Sequence, residues 1–233
     1  MKSRLLVVLI LVALAIVAFA QEAVSLKRSA KLGDTAKYKM TVKVLFGDLE
    51  YSVTSANVVK VTKVAEDGAI TSSSKQTDIK IKVKGMEGDY SAPDQEIIAT
   101  RTPNGELLTL SAEKVDATSY RLENLAAFRA PEEPVKPGDK WVVDLKPDEK
   151  TGTVSAKASY EVLGFEKVGP YATAKIKWSY TETEGDAKAS SEGTVWIWTL
   201  DGSLVKAEGK LKNAPFRDAP RPVDVDILTE REP

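Results

Sequence analysis

Two arrangements of apolar residues divide the chain. Residues 5–20 are apolar without a break or a charge, whereas beyond Gln21 apolar and polar residues alternate. Period two is the signature of strands with one packed and one wet face. Tyr38, Met40, Val42 and Val44 alternate with Lys39, Thr41 and Lys43. Ile79, Ile81 and Val83 alternate with Lys80, Lys82 and Lys84, and Ile176, Trp178 and Tyr180 with Lys175, Lys177, Ser179 and Thr181. Val223, Val225 and Ile227 alternate with Asp224 and Asp226. Asn104-Gly105 and Asp201-Gly202 tolerate the positive φ of tight hairpin turns. They predict hairpins pairing 96–102 with 106–111 and 194–199 with 203–210. The small, polar stretch 185–193 reads as a loose hairpin loop. One segment has helical spacing: Leu122, Leu125, Ala126 and Phe128 fall on one side of a wheel over 119–130, ahead of Pro131 and Pro134.

The uninterrupted run has a different use. Basic Met1-Lys2-Ser3-Arg4 precedes it, Ala18-Phe19-Ala20 places small residues at its end, and polar Gln21-Glu22 follow. That order predicts a secretory signal peptide, 1–20, cleaved after Ala20, and a secreted or periplasmic product. The run is shorter than the ~20 apolar residues of a membrane span. If it stays uncleaved, it is the one membrane contact the sequence offers. The chain has no cysteine, so lipid attachment by a lipobox is excluded.

The remainder repeats itself. Leu32-Gly33-Asp34 followed by Tyr38 matches Pro137-Gly138-Asp139 followed by Trp141. Val61, Val64 and Gly68 match Val162, Phe165 and Gly169, and Asn104-Gly105-Glu106-Leu107 matches Asp201-Gly202-Ser203-Leu204. The offsets of 105, 101 and 97 keep one order. The expected fold is therefore mainly β, with two similar halves, 21–118 and 137–233, linked by a helix and Pro-rich stretch, 119–136. Roughly ten strands in one sheet curl or split. A strongly curved antiparallel half-barrel with the helix against its concave apolar face is one solution. A β-sandwich of the halves is the alternative.

Composition then removes functions. The formal net charge of −1 becomes −3 without Lys2 and Arg4, which is not the balance of a nucleic-acid binder. With neither cysteine nor histidine, the chain lacks Ser-His-Asp and Cys-His catalysis and the usual ligands of zinc, copper and haem. No phosphate-binding loop, dinucleotide fingerprint, nucleophile elbow or HExxH motif is present. No cofactor or metal and no enzymatic activity are expected. Asp224 and Asp226, with Asp218 nearby, form the best carboxylate group, but its spacing suits a solvated face. A carboxylate-based glycosidase is the weakest alternative.

The candidate ligand-binding residues are aromatic: Trp178, Tyr180, Trp196, Trp198 and Phe128. Trp196 and Trp198 share one face of their strand, with Val195 and Ile197 on the other. These rings fit an apolar groove, a stacking platform for sugars, or plain core filling. The lysines opposite the apolar faces, Lys39, Lys43, Lys80, Lys82, Lys84, Lys175 and Lys177, suit either a solvated surface or an anionic partner.

The opening Val135-Lys136-Pro137-Gly138-Asp139-Lys140-Trp141, the strand Tyr160-Glu161-Val162-Leu163-Gly164-Phe165-Glu166 and the turn Leu200-Asp201-Gly202-Ser203-Leu204-Val205 give the chain a pattern that resembles the lipoprotein-carrier half-barrels of the LolA/LolB and LppX/LprG group. The resemblance lies in pattern, carries no functional residue across, and departs from the acylated members in lacking the lipobox cysteine. It implies binding of a lipid, an acyl chain or a lipidated protein. A cell-envelope structural module with no small ligand is the competing expectation.

Overall fold

In the computed structural model the alternating segments become twelve strands and one helix, described over residues 22–47, 49–86, 90–216 and 221–233. The predicted signal peptide and Asp218 lie outside the described residues. The first six strands are β1 (Thr35–Phe46), β2 (Leu49–Val64), β3 (Ile70–Val83), the two-residue β4 (Tyr90–Ser91), β5 (Gln95–Arg101) and β6 (Leu107–Ser111). Helix α1 (Ala117–Ala126) follows. The rest are β7 (Lys140–Leu145), β8 (Ala156–Val168), β9 (Tyr171–Glu182), β10 (Ser190–Trp198), β11 (Leu204–Ala214) and β12 (Val223–Arg231). All pairings are antiparallel, in the order β6-β5-β3-β2-β1-β12-β11-β10-β9-β8-β7, with β4 beside β3. There is one curved sheet, so the sandwich alternative fails. Edges β6 and β7 do not pair, so the sheet is a half-barrel and not a closed barrel. Among the described residues no helix is long and apolar enough to cross a membrane.

Each half is a meander, β1 to β6 and β7 to β12, and the halves join through β1 and β12. The turns that lead into them bond alike. Gly33 N donates to Val61 O at 2.9 Å and Val61 N to Asp34 O at 2.8 Å; Gly138 N donates to Val162 O at 2.8 Å and Val162 N to Asp139 O at 3.0 Å. Both glycines have φ of 90°, a region only glycine adopts at little cost. The Asp34 and Asp139 carboxylates accept from Lys31 N and Lys136 N, three residues back. Both long second strands bulge just past the matching valine, at 61–63 in β2 and 162–164 in β8. Register does correct one sequence match: Tyr38 lies opposite Asn57 but Trp141 opposite Tyr160, so Trp141 matches Ala36.

Antiparallel order puts the turns 65–69, 102–106, 169–170 and 199–203 at one end. A strap across this end ties it shut. Val24 pairs with Val135, Arg28 N donates to Pro103 O and Ser29 N to Asp201 O, both at 2.8 Å, and Leu26 is 1% exposed. The opposite end is the mouth.

Two local expectations shift. Helix α1 begins earlier than 119 because Asp116 caps it: its carboxylate accepts from Ser119 N at 3.0 Å, while Ser119 Oγ accepts from Asp116 N. It ends at Ala126, short of 130, because Ala127 turns extended and presents its carbonyl to Tyr160 Oη. Phe128 is thereby drawn edge-on against Trp141 and Tyr160, which stack at 5.0 Å. Gly193 is not in a loop but inside β10, where a Cβ would collide with the Trp178 ring; Gly209 of β11 is bare for the same reason.

Candidate functional site

The inner face of the sheet is the one that carries Val44, Trp178 and the core. In the second meander it is full. Trp178 and Tyr180 are 4% and 3% exposed, the indole lies across Gly193 and Gly209, and Phe128 packs against the same cluster. Helix α1 covers them through polar contacts more than apolar ones, since only Asn124 and Leu125 are buried on it. Ser191 Oγ donates to Leu125 O at 2.5 Å and accepts from Trp178 Nε1. Arg121 makes a two-pronged pair with buried Glu182, at 2.9 and 2.7 Å. Arg129 is buried without a carboxylate partner among the described residues; it donates to Gly105 O and Asn124 Oδ1, and desolvation lowers its pKa. Burial likewise raises Tyr160 to about 12 and pushes Tyr180 well above the ordinary phenol range.

The predicted aromatic group therefore divides. Trp178, Tyr180 and Phe128 meet in this filled core. Trp196 and Trp198 lie on the opposite face of β10. Trp196 is buried there under Lys175 and Lys206 and donates to Glu166 at 2.5 Å, while Trp198 meets Tyr171 edge-on with Arg231 over both rings. A strand apolar on both sides does not say which side is inner. The named lysines all lie on the outer face, six exposed and Lys175 half-buried.

The first meander's inner face is built on the same register with different side chains. Opposite Val61, Val59 and Asn57 of β2 stand Ser72, Ser74 and Gln76 of β3; opposite Val162, Tyr160 and Ala158 of β8 stand Ile176, Trp178 and Tyr180 of β9. Hydroxyls and an amide thus take the places of the aromatic core, and α1 lies against β10 and β11 while reaching β5 and β6 through the Arg101–Glu123 pair and the Leu110 N–Tyr120 Oη bond. Ser74 Oγ donates to Asn57 Oδ1 at 2.9 Å and Gln76 Nε2 to Ser55 Oγ at 2.7 Å. A bulge at Asp78, with φ of 53°, turns Ile79 inward and keeps Gln76 beside Ser55. Asn57, Ser72, Ser74 and Gln76 are half-buried.

Toward the mouth this stripe gives way to Val42, Val53 and Ile81, then Val44, Tyr51 and Val83. At the same end, on the outer face, a cavity of about 400 Å³ is lined by Glu50, Ser52, Lys82 and Lys84, with Tyr51, Val83 and Met86 at its side. Leu49, Met86 and Tyr90 are 52%, 57% and 51% exposed at the rim. Glu50 pairs with Lys84 at 2.7 Å, and that bond holds its carboxyl below the usual range. Among the described residues no group of three or more acidic side chains converges as a metal site. Apolar alternation does not mark this inner face. The available signal was an absence: residues 71–78 contain no apolar side chain, yet lie inside a strand of 14 residues.

No family model matches the chain, and no curated protein matches it. Among solved structures it is similar to a Bacteroides fragilis protein described as a "putative exported protein with YmcC-like fold", at 11% identity and a TM-score of 0.34, over 91% of this chain and all of that one. A likeness of that size carries no argument about function.

Proposed function

We propose that the chain is an exported, non-catalytic binding protein that holds an amphipathic ligand on the inner face of its first meander. The candidates are a lipid, a free acyl chain or the acyl group of a lipidated partner. In this reading residues 1–20 are removed after Ala20, and the two meanders descend from a duplicated unit whose halves diverged, one toward a core and one toward a site. The observation that carries it is the half-buried polar inner face at Asn57, Ser72, Ser74 and Gln76, which gives way toward the mouth to the apolar rows of Val42, Val53 and Ile81 and of Val44, Tyr51 and Val83. The aromatic face is the less suitable place for a ligand, because α1 and Phe128 already fill it.

Purified protein, denatured in organic solvent, should release a lipid in stoichiometric amount, detected by mass spectrometry of the extract. Delipidated protein should gain thermal stability when an acyl ligand is returned. A clean extract together with no stabilisation by any lipid leaves the structural-module reading in its place.

A further inference from the structure

We infer that the ligand's polar end is uncharged and bears hydroxyl or amide groups, recognised by the stripe Ser55, Asn57, Ser72, Ser74 and Gln76. This rests on the binding reading above and names the chemistry of the same site. The stripe holds no ionisable side chain. Its strand neighbours Lys75 and Lys80 alternate to the outer face and are exposed. On the inner face Arg101 is paired with Glu123 and its Nη1 is shut off from solvent, while Arg231, opposite Tyr38, lies over the Tyr171 and Trp198 rings.

The stripe also has unused hydrogen-bonding capacity of both signs. Asn57 spends its Oδ1 on Ser74, but its Nδ2 reaches only the Met40 thioether, at 3.6 Å, which is a weak acceptor. Gln76 spends its Nε2 on Ser55, and its Oε1 meets no donor among the described residues. Ser72 Oγ makes no side-chain hydrogen bond among them either. A half-buried amide NH₂, amide carbonyl and hydroxyl on adjacent strands match a group that both donates and accepts, such as a diol or an amide. A carboxylate or phosphate only accepts, brings a charge that must be desolvated, and finds no cation there to offset it. The apolar residues between stripe and mouth would run along the ligand's chain.

Two probes with the same acyl chain separate the possibilities at neutral pH: 1-monolauroylglycerol, with an uncharged diol head, and laurate, with a carboxylate. Calorimetry on the purified protein should find monolauroylglycerol bound about tenfold more tightly. Asn57→Ala combined with Gln76→Ala should reduce that preference to about twofold while leaving laurate affinity unchanged. Gln76→Lys should reverse the preference, and it keeps the test alive if the double variant fails to fold. Equal or tighter binding of laurate by the unaltered protein, or a preference that survives in the folded double variant, overturns this assignment and leaves the binding reading standing. If neither probe binds the folded protein, both fall.

Discussion

Ser74 and Trp178 hold the same register position in the two meanders, opposite Val59 in one and Tyr160 in the other. Around Trp178 the neighbouring strands lose their side chains at Gly193 and Gly209, a helix is laid on top, and Ser191 ties the indole to the helix carbonyl. Around Ser74 there are an amide and two further hydroxyls. The turns, the bulges and the hydrogen bonds leading into each meander are nevertheless alike. One strand framework therefore supports either an aromatic core or a half-buried polar face. The choice is made by a few inward positions and by which half receives the helix.

The comparison breaks most visibly at those two residues. Trp178→Ala should cost about 3–5 kcal/mol, as deletion of a large buried ring does. Ser74→Ala, which loses one half-buried hydrogen bond, should cost about 1 kcal/mol or less. Chemical denaturation measures both, and similar costs would mean that the two faces are packed alike.

Alkali should separate the next matched pair of positions. In the folded chain burial pushes Tyr160 up from 10 to about 12, so the fold prefers the neutral phenol. Its contribution is complete below pH 10 and is lost as pH rises toward 12, amounting to about 2–3 kcal/mol. Tyr180 acts in the same direction. Urea midpoints of Tyr160→Phe should fall less steeply than those of the unaltered protein across this window, whereas parallel curves would contradict the burial. Val59, the matching residue of the first meander, has nothing to titrate.

Sameness is testable as well as difference. Gly33→Ala and Gly138→Ala each force a side chain into the same left-handed conformation, with open space around the new Cβ. Both should lose about 1–2 kcal/mol. Unequal costs would show that the turns leading into the two meanders are alike in outline only.

The smallest effect lies on the outer face. The Trp196 indole, and then Lys175, hold the Glu166 carboxyl below its ordinary value of 4.5. Its stabilising contribution is full above that value and is lost as pH falls through the lower, folded-state one. Thermal melts of Glu166→Gln should differ slightly from the unaltered protein near neutrality and converge with it in acid.

Much of this fold was legible in the sequence. The alternation at 38–44, 79–83, 176–181 and 223–227, the two hairpin Gly turns, and the matched turns at Gly33 and Gly138 all found their places. What escaped has one physical cause: alternation identifies a strand only where its inner face is apolar. In β3 the inner positions 72, 74 and 76 are Ser, Ser and Gln, so the pattern vanishes where the candidate site lies. The face that Trp196 and Trp198 occupy was hidden for the converse reason, since on the outer face Lys175 and Lys206 cover one indole and Arg231 the other, as a core does on the inner face. Gly193 looked like loop punctuation because the ring that excludes its side chain comes from another strand.

The strap at the closed end bears on timing. Val24, Arg28 and Ser29 stand early in the chain, yet their partners are Val135, Pro103 and Asp201. No neighbour close in sequence gives the strap a place to rest. A polypeptide that emerges from its N terminus must leave this segment waiting until the β10–β11 hairpin exists. The strap is then the last element to be fastened, and its protection from hydrogen exchange should be the last to appear during refolding.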